Sequence, residues 1–244
     1  MEGAPQTSAE LLIDTDVHPH LQHGDEVSNR LPEPFKSMSQ GPGPSLGGER
    51  IYLNPHGAER DDAEPEEDTV EASLATFREQ HLDRYDVDYC IINNVQPSHG
   101  PNADYQTARA SAWNDWMIDT WLQADDRILS SMSVCMADPE RAAEEIRRVG
   151  DHPRFVQVGL PSATREPYGK RRYWPVYEAA AEMGLPVGIH PGGEGKGISN
   201  PPPGGYPSTY FEWHTTISAN YMHQVASLVT EGVFAEFPDL RWVC

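Results

Sequence analysis

Two short stretches of this chain carry residue types that could do metal chemistry. The first is Asp14-Thr15-Asp16-Val17-His18, at the end of the apolar run 11–17. Side chains alternate along a strand, so Asp14, Asp16 and His18 can point the same way. Two carboxylates and an imidazole gathered at one place attract a cation, and such donors suit Zn²⁺, Mn²⁺ or Fe²⁺. A turn at a strand end uses the same residue types, so this motif alone leaves both readings open. The second stretch is Val187-Gly188-Ile189-His190-Pro191-Gly192-Gly193. Its histidine closes an apolar run just before two glycines, where a substrate could approach the backbone. Alone, His190 could equally cap the sheet by a hydrogen bond. Together the stretches predict one divalent-metal site made by Asp16, His18 and His190, with zinc the first choice and manganese or iron next.

Other residues are weaker candidates. His214 precedes a helical stretch and could act as general acid or base, although a surface helix start is the plainer reading. Asn93, Asn94 and Gly192 are candidates for substrate binding; for the asparagines, strand-end turns compete. Arg60 and Arg165 are candidate anion clamps, and His20, His23 and His56 could line the site. Trp113, Met117 and Trp121 recur at helical spacing and read as core. The acidic run 61–68 reads as a solvated surface rather than a calcium loop.

The elements that must position these residues alternate. Apolar runs at 11–17, 87–94, 128–136, 155–161 and 186–191 read as strands, and a sixth begins at 240. Between them lie helical patterns: one from Thr69, and others at 104–124, 137–150, 172–183 and 215–230. Asp138 can cap the third of these, Pro139 suits its first turn, and Gly150 ends it. Strands alternating with helices imply right-handed βαβ units and a parallel sheet. A doubly wound sheet and a barrel both fit. The barrel is favoured because the polar residues cluster at the carboxyl ends of strands. In addition, no glycine-rich phosphate loop follows the first strand. The expectation is one α/β domain over 1–244: an incomplete TIM-type (β/α) barrel of about six units, with a long irregular insertion at 19–68. The apolar segment 240–244 reads as mid-strand sequence, so further barrel units are expected to follow it.

Composition narrows the partners. With 38 acidic against 18 basic side chains, the formal net charge is −20. Such a field repels nucleic acid and anionic membranes, leaving a small-molecule substrate as the expected partner. Excess carboxylate with only three lysines suits a protein kept soluble at high salt. Three cysteines without a CxxC pair point to a reducing compartment. The N-terminus lacks the basic and apolar regions of a signal peptide, and no apolar run approaches ~20 residues. A soluble cytoplasmic protein is expected; self-association is left open by the exposed sheet edge.

Residues 13–18, the strand-five motif at 186–191 and the lead Gly-Val-Phe-Ala-Glu-Phe-Pro-Asp-Leu-Arg at 232–241 resemble the amidohydrolase-related family. More narrowly they resemble its decarboxylase-like branch, which holds carboxymuconate-semialdehyde and resorcylate decarboxylases. The resemblance implies a (β/α)₈ barrel with a divalent ion held by a strand-one pair, a histidine after strand five and an aspartate after strand eight. His18 and His190 match the family pattern. Asp16 stands where the family has His or Glu, and the last aspartate would fall beyond Cys244. The implied activity is hydrolysis or decarboxylation of a small carboxylated or cyclic substrate. The competing expectations are an incomplete barrel acting as a binding protein, and a metal-free doubly wound enzyme in which Asp16 and His190 lie far apart.

Overall fold

The computed structural model describes residues 10–21, 25–40, 61–63, 65–93, 102–192 and 208–244. Six strands follow one another in chain order: β1 Ile13–Val17, β2 Tyr89–Ile92, β3 Ile128–Ser133, β4 Phe155–Pro161, β5 Val187–His190 and β6 Trp242–Val243. All five pairings are parallel and join sequence neighbours, giving the order β1-β2-β3-β4-β5-β6. The sheet curls into half a barrel, which brings β5 round to face β1. That closes the doubly wound alternative.

The helices are α1 Glu26–Asn29, α2 Phe35–Gln40, α3 Val70–Phe77, α4 Ala103–Asp119, α5 Trp121–Ala124, α6 Pro139–Val149, α7 Trp174–Glu182, α8 Tyr210–Thr216, α9 Ser218–Thr230 and α10 Val233–Glu236. Their ends follow local chemistry. Thr69 caps α3 by accepting from the Ala72 amide, and Asp138 caps α6 by accepting from that of Arg141. Gly184 ends the α7 segment with φ +68°, a conformation that favours glycine. Gly150 ends α6 as expected, in a right-handed conformation with φ −66°. It is small for another reason: a Cβ there would lie 2.5 Å from the Ile146 carbonyl oxygen and 3.0 Å from the Met183 side chain.

Three expectations on element boundaries need correction. The helix read at 104–124 breaks at Thr120, whose hydroxyl donates to the Trp116 carbonyl. The one read at 215–230 starts earlier, capped by Thr209, and is interrupted at Ile217. Nor is the insertion wholly irregular. It carries α1 and α2, and α1 docks on α4. Val27 and Leu31, four apart, are buried there. The Trp116 indole donates to Glu26 at 2.6 Å, and Arg30 pairs with Asp119. Trp113, Met117 and Trp121 form core, as their spacing predicts, each at most 1 % exposed.

Candidate metal centre

At the carboxyl end of the sheet, β1 and β5 bring together the three residues expected to share a site. Asp16 Oδ1 lies 3.1 Å from His18 Nε2 and 3.1 Å from His190 Nε2. The two Nε2 atoms are themselves 3.1 Å apart. Three donors therefore stand at the corners of an equilateral triangle, contributed by positions up to 174 apart in the chain. The doubly wound expectation, with Asp16 and His190 far apart, is excluded.

Two strand ends aim the three donors. His190 ends β5, and its Nδ1 lies 2.9 Å from the Pro191 carbonyl oxygen. That contact fixes the ring so that Nε2 faces the centre. His18 follows β1 directly. Hydrogen bonds from His18 and then His190 hold the Asp16 carboxyl well below the usual carboxylate range. Partial burial opposes this, and Asn93 adds to it. Asp16 is thus an anion at any ordinary pH, flanked by two ring nitrogens.

These donors fit a divalent ion. Among the described residues they are the one group of three or more His, Cys, Asp or Glu whose ligand atoms converge closely enough to share one. Edges of 3.1 Å would let all three donors reach one ion at ~2.0–2.2 Å. Two histidines and one carboxylate on a single face leave further coordination positions open toward solvent.

The remaining expected residues fall differently. Asp14 turns away from the triangle: the register shifts between Asp14 and Val17, and Asp14 Oδ2 lies 3.1 Å from His81 Nε2. Asn93 is buried and directed at protein groups. Its amide nitrogen donates to Asp16 Oδ1 and to the Thr15 carbonyl, each at 2.9 Å. Its oxygen accepts from Ser131 and Gln157. Gly192 turns the chain with φ +154°, and its carbonyl accepts from the Ala163 amide. His214 is exposed on α8, edge-on to Trp213. Arg165 is exposed, and His20 lines a cavity beside the triangle. Asn94, Arg60, His23 and His56 lie outside the described residues. The cavity measures about 300 Å³ and opens between the end of β1 and α3, walled by Ser73, Phe77, Gln80 and Tyr85.

Sequence reasoning missed Ser131 and Gln157, both buried in the sheet interior. A polar residue inside an apolar run, as in Phe-Val-Gln-Val-Gly-Leu-Pro, was the available signal.

A half barrel of parallel strands with a His-His-Asp cluster at its carboxyl end defines a class of metal-binding α/β barrels. The amidohydrolase family profile matches residues 13–244, and the chain belongs to that family. No curated protein matches it. Among solved structures it resembles an amidohydrolase from Mycobacterium avium subsp. paratuberculosis, with 19 % identity, a TM-score of 0.68, and 97 % of this chain and 73 % of that one covered. It also resembles 5-carboxyvanillate decarboxylase from Sphingomonas paucimobilis, with 22 % identity, a TM-score of 0.64, and coverage of 95 % and 66 %. A third is the 5-carboxyvanillate decarboxylase of Novosphingobium aromaticivorans, complexed with manganese and 4-hydroxy-3-methoxy-5-nitrobenzoic acid. Here identity is 18 %, the TM-score 0.62, and coverage 96 % and 64 %. At such identities the likeness is one of fold. The chain spans about two thirds of the length of these decarboxylases.

Proposed function

We propose that this chain carries the metal site of a metal-dependent enzyme, a carboxy-lyase ahead of a hydrolase, acting on a small carboxylated ring compound. The observation that carries the proposal is the 3.1 Å triangle of Asp16, His18 and His190. The manganese-bound decarboxylase among the structural relatives supports the choice of lyase. The cavity of about 300 Å³ beside Asp16 and His18 sits at the small end of ligand pockets and suits a single ring.

A divalent ion held by Asp16, His18 and His190 would supply Lewis acidity toward a substrate oxygen. Asp16 contributes the negative charge that retains a cation, and the contact of Nδ1 with the Pro191 carbonyl keeps the His190 ring turned so that Nε2 faces inward. His214 lies on α8, which follows β5 in the chain. It is our candidate for moving a proton to or from the substrate, with Asn94 and Gly192 as candidate substrate contacts. The manganese in the 5-carboxyvanillate decarboxylase of Novosphingobium aromaticivorans favours Mn²⁺ over Zn²⁺ as that ion. That reverses the order expected from ligand type alone.

Metal stoichiometry on the purified chain tests the reading, beside His18→Ala and His190→Ala. About one ion per chain, lost in both variants, is the expected result. The chain should also release CO₂ from a carboxylated phenol once loaded with manganese. A wild-type chain that binds no ion would overturn the assignment.

We also infer adaptation to high salt from the net charge of −20. Screening of that self-repulsion should raise the melting temperature as KCl increases; a flat response would refute it. The three cysteines are unpaired, in keeping with a reducing, cytoplasmic setting. Among the described residues, no helix is long and apolar enough to cross a membrane.

A further inference from the structure

Behind the triangle, four strands contribute to a single line of buried amides and hydroxyls. Gln157 on β4 donates to Ser131 Oγ at 2.7 Å and to Asn93 Oδ1 at 2.8 Å. Ser131 on β3 donates its hydroxyl to the same Asn93 oxygen. Asn93, just past β2, donates onward to Asp16 Oδ1 on β1 at 2.9 Å. Asn93 also donates to the Thr15 carbonyl, so both its hydrogens and both its lone pairs are engaged. The amide cannot be reversed: Thr15 O and Asp16 Oδ1 only accept, which requires the nitrogen on their side.

We infer that Asn93, with Ser131 and Gln157 behind it, is a positioning residue that fixes which oxygen of Asp16 faces the ion; this rests on the metal-site reading above. The need for such a device is visible at Asp16. Its side chain is 57 % exposed, and β1 has a strand neighbour on one side only among the described residues. Packing alone would leave that carboxylate free to rotate. A donor held by three other hydrogen bonds removes the freedom without adding a competing charge. Asn93, Ser131 and Gln157 are 7 %, 3 % and 8 % exposed, so water scarcely competes for these bonds.

Two glycines make room for the line. A Cβ on Gly159 of β4 would lie 3.0 Å from Ser131 Cβ. One on Gly188 of β5 would lie 3.0 Å from Gln157 Oε1 and 3.2 Å from its Nε2. Both have ordinary backbone angles, so the demand for glycine comes from the neighbouring polar side chains. A single methyl at Gly159, which touches no metal ligand, should therefore be felt at the metal.

The test is Mn²⁺ affinity, measured by competition with a chelating dye, alongside the melting temperature of the metal-free chain. Outer-shell partners of metal ligands typically change affinity 10–100-fold when removed. Asn93→Ala should weaken Mn²⁺ binding by roughly that factor, and Ser131→Ala and Gly159→Ala by smaller factors in the same direction. Ser130→Ala is the control. Its hydroxyl is as buried but donates only to the carbonyls of Ile92 and Ser131, so Mn²⁺ affinity should not change. Wild-type affinity in Asn93→Ala and Ser131→Ala would overturn the inference while leaving the metal site intact. A wild-type chain that binds no Mn²⁺ would overturn both. Should Asn93→Ala fail to fold, Ser131→Ala against Ser130→Ala decides. Equal losses in those two would mark a general packing effect and refute the positioning role.

Discussion

The two ends of the same six strands use the same side chains to opposite effect. At the amino end, Asp125 is closed in by cations. Arg127 donates to it through Nε and Nη2 at 2.9 and 2.8 Å, and Arg78 does so through Nε at 3.0 Å. Arg127 reaches on to Asp83, and Arg154 pairs with Asp126 before β4. Asp83, Asp125 and Asp126 each have an arginine, whose charge is permanent and whose planar fork suits a carboxylate. At the carboxyl end, Asp16 meets two imidazoles and an amide instead. None of these need carry a full charge, so the anion remains available to a cation from solution. In barrels of this kind the amino face carries stability and the carboxyl face chemistry. Here the division is written in the choice of arginine or histidine beside an aspartate.

Substitutions at either end can break this contrast. The largest effect is expected from His190→Ala, which should abolish metal binding and any metal-dependent turnover while the chain stays folded. Calorimetric titration with Mn²⁺ beside circular dichroism would show it. Asp125→Asn should do the reverse. It strands Arg127 and Arg78 and should cost about 2–3 kcal/mol of stability, with metal affinity unchanged. Urea unfolding of the two variants measures both quantities. A loss of metal binding in Asp125→Asn would mean that the two ends are coupled.

Acid sharpens the comparison further. Hydrogen bonds from Arg127, above all, hold the folded Asp125 carboxyl well below the model-peptide value of 3.8. A depressed folded value means that the pair's stability is complete above the unfolded value and is lost as pH falls below it. Unfolding free energy should therefore be level near neutrality and decline below about pH 4. The decline should be shallower in Asp125→Asn, as acid unfolding curves would show.

The smallest effect concerns Cys90, in the interior of β2. Burial, then the charges of Asp14 and Asp125, push its thiol up to about 12. A thiol reagent at pH 8 should label the exposed Cys244 in the folded chain and reach Cys90 only after unfolding. Labelling of native Cys90 would show that β2 opens readily.

Much of this was legible in the sequence. The order of strands and helices follows from alternating apolar runs and caps, and Asp16, His18 and His190 stand out because each ends or follows such a run. Asp14 was not separable from Asp16 by alternation, since a register shift between Asp14 and Val17 sends it to His81. Asn93 was visible as a polar residue at a strand end. That it faces protein depends on Ser131 and Gln157, some 38 and 64 positions away, and no local pattern encodes such a meeting. The short helices of the insertion were hidden by its proline and glycine content.

The strand order carries a consequence for how the chain reaches this state. Every pairing in the sheet joins neighbours in sequence, so each βα unit can assemble on the one before it. The contact between Asp16 and His190 instead spans 174 positions and exists only when the whole curl is in place. Bringing such distant segments together carries the entropy of a long loop. An ion that binds only the assembled triangle acts as a clasp on that loop and favours the folded state in proportion to its concentration over its dissociation constant. Loss of metal should then show first as a loosening between the outer strands, with the inner ones still paired.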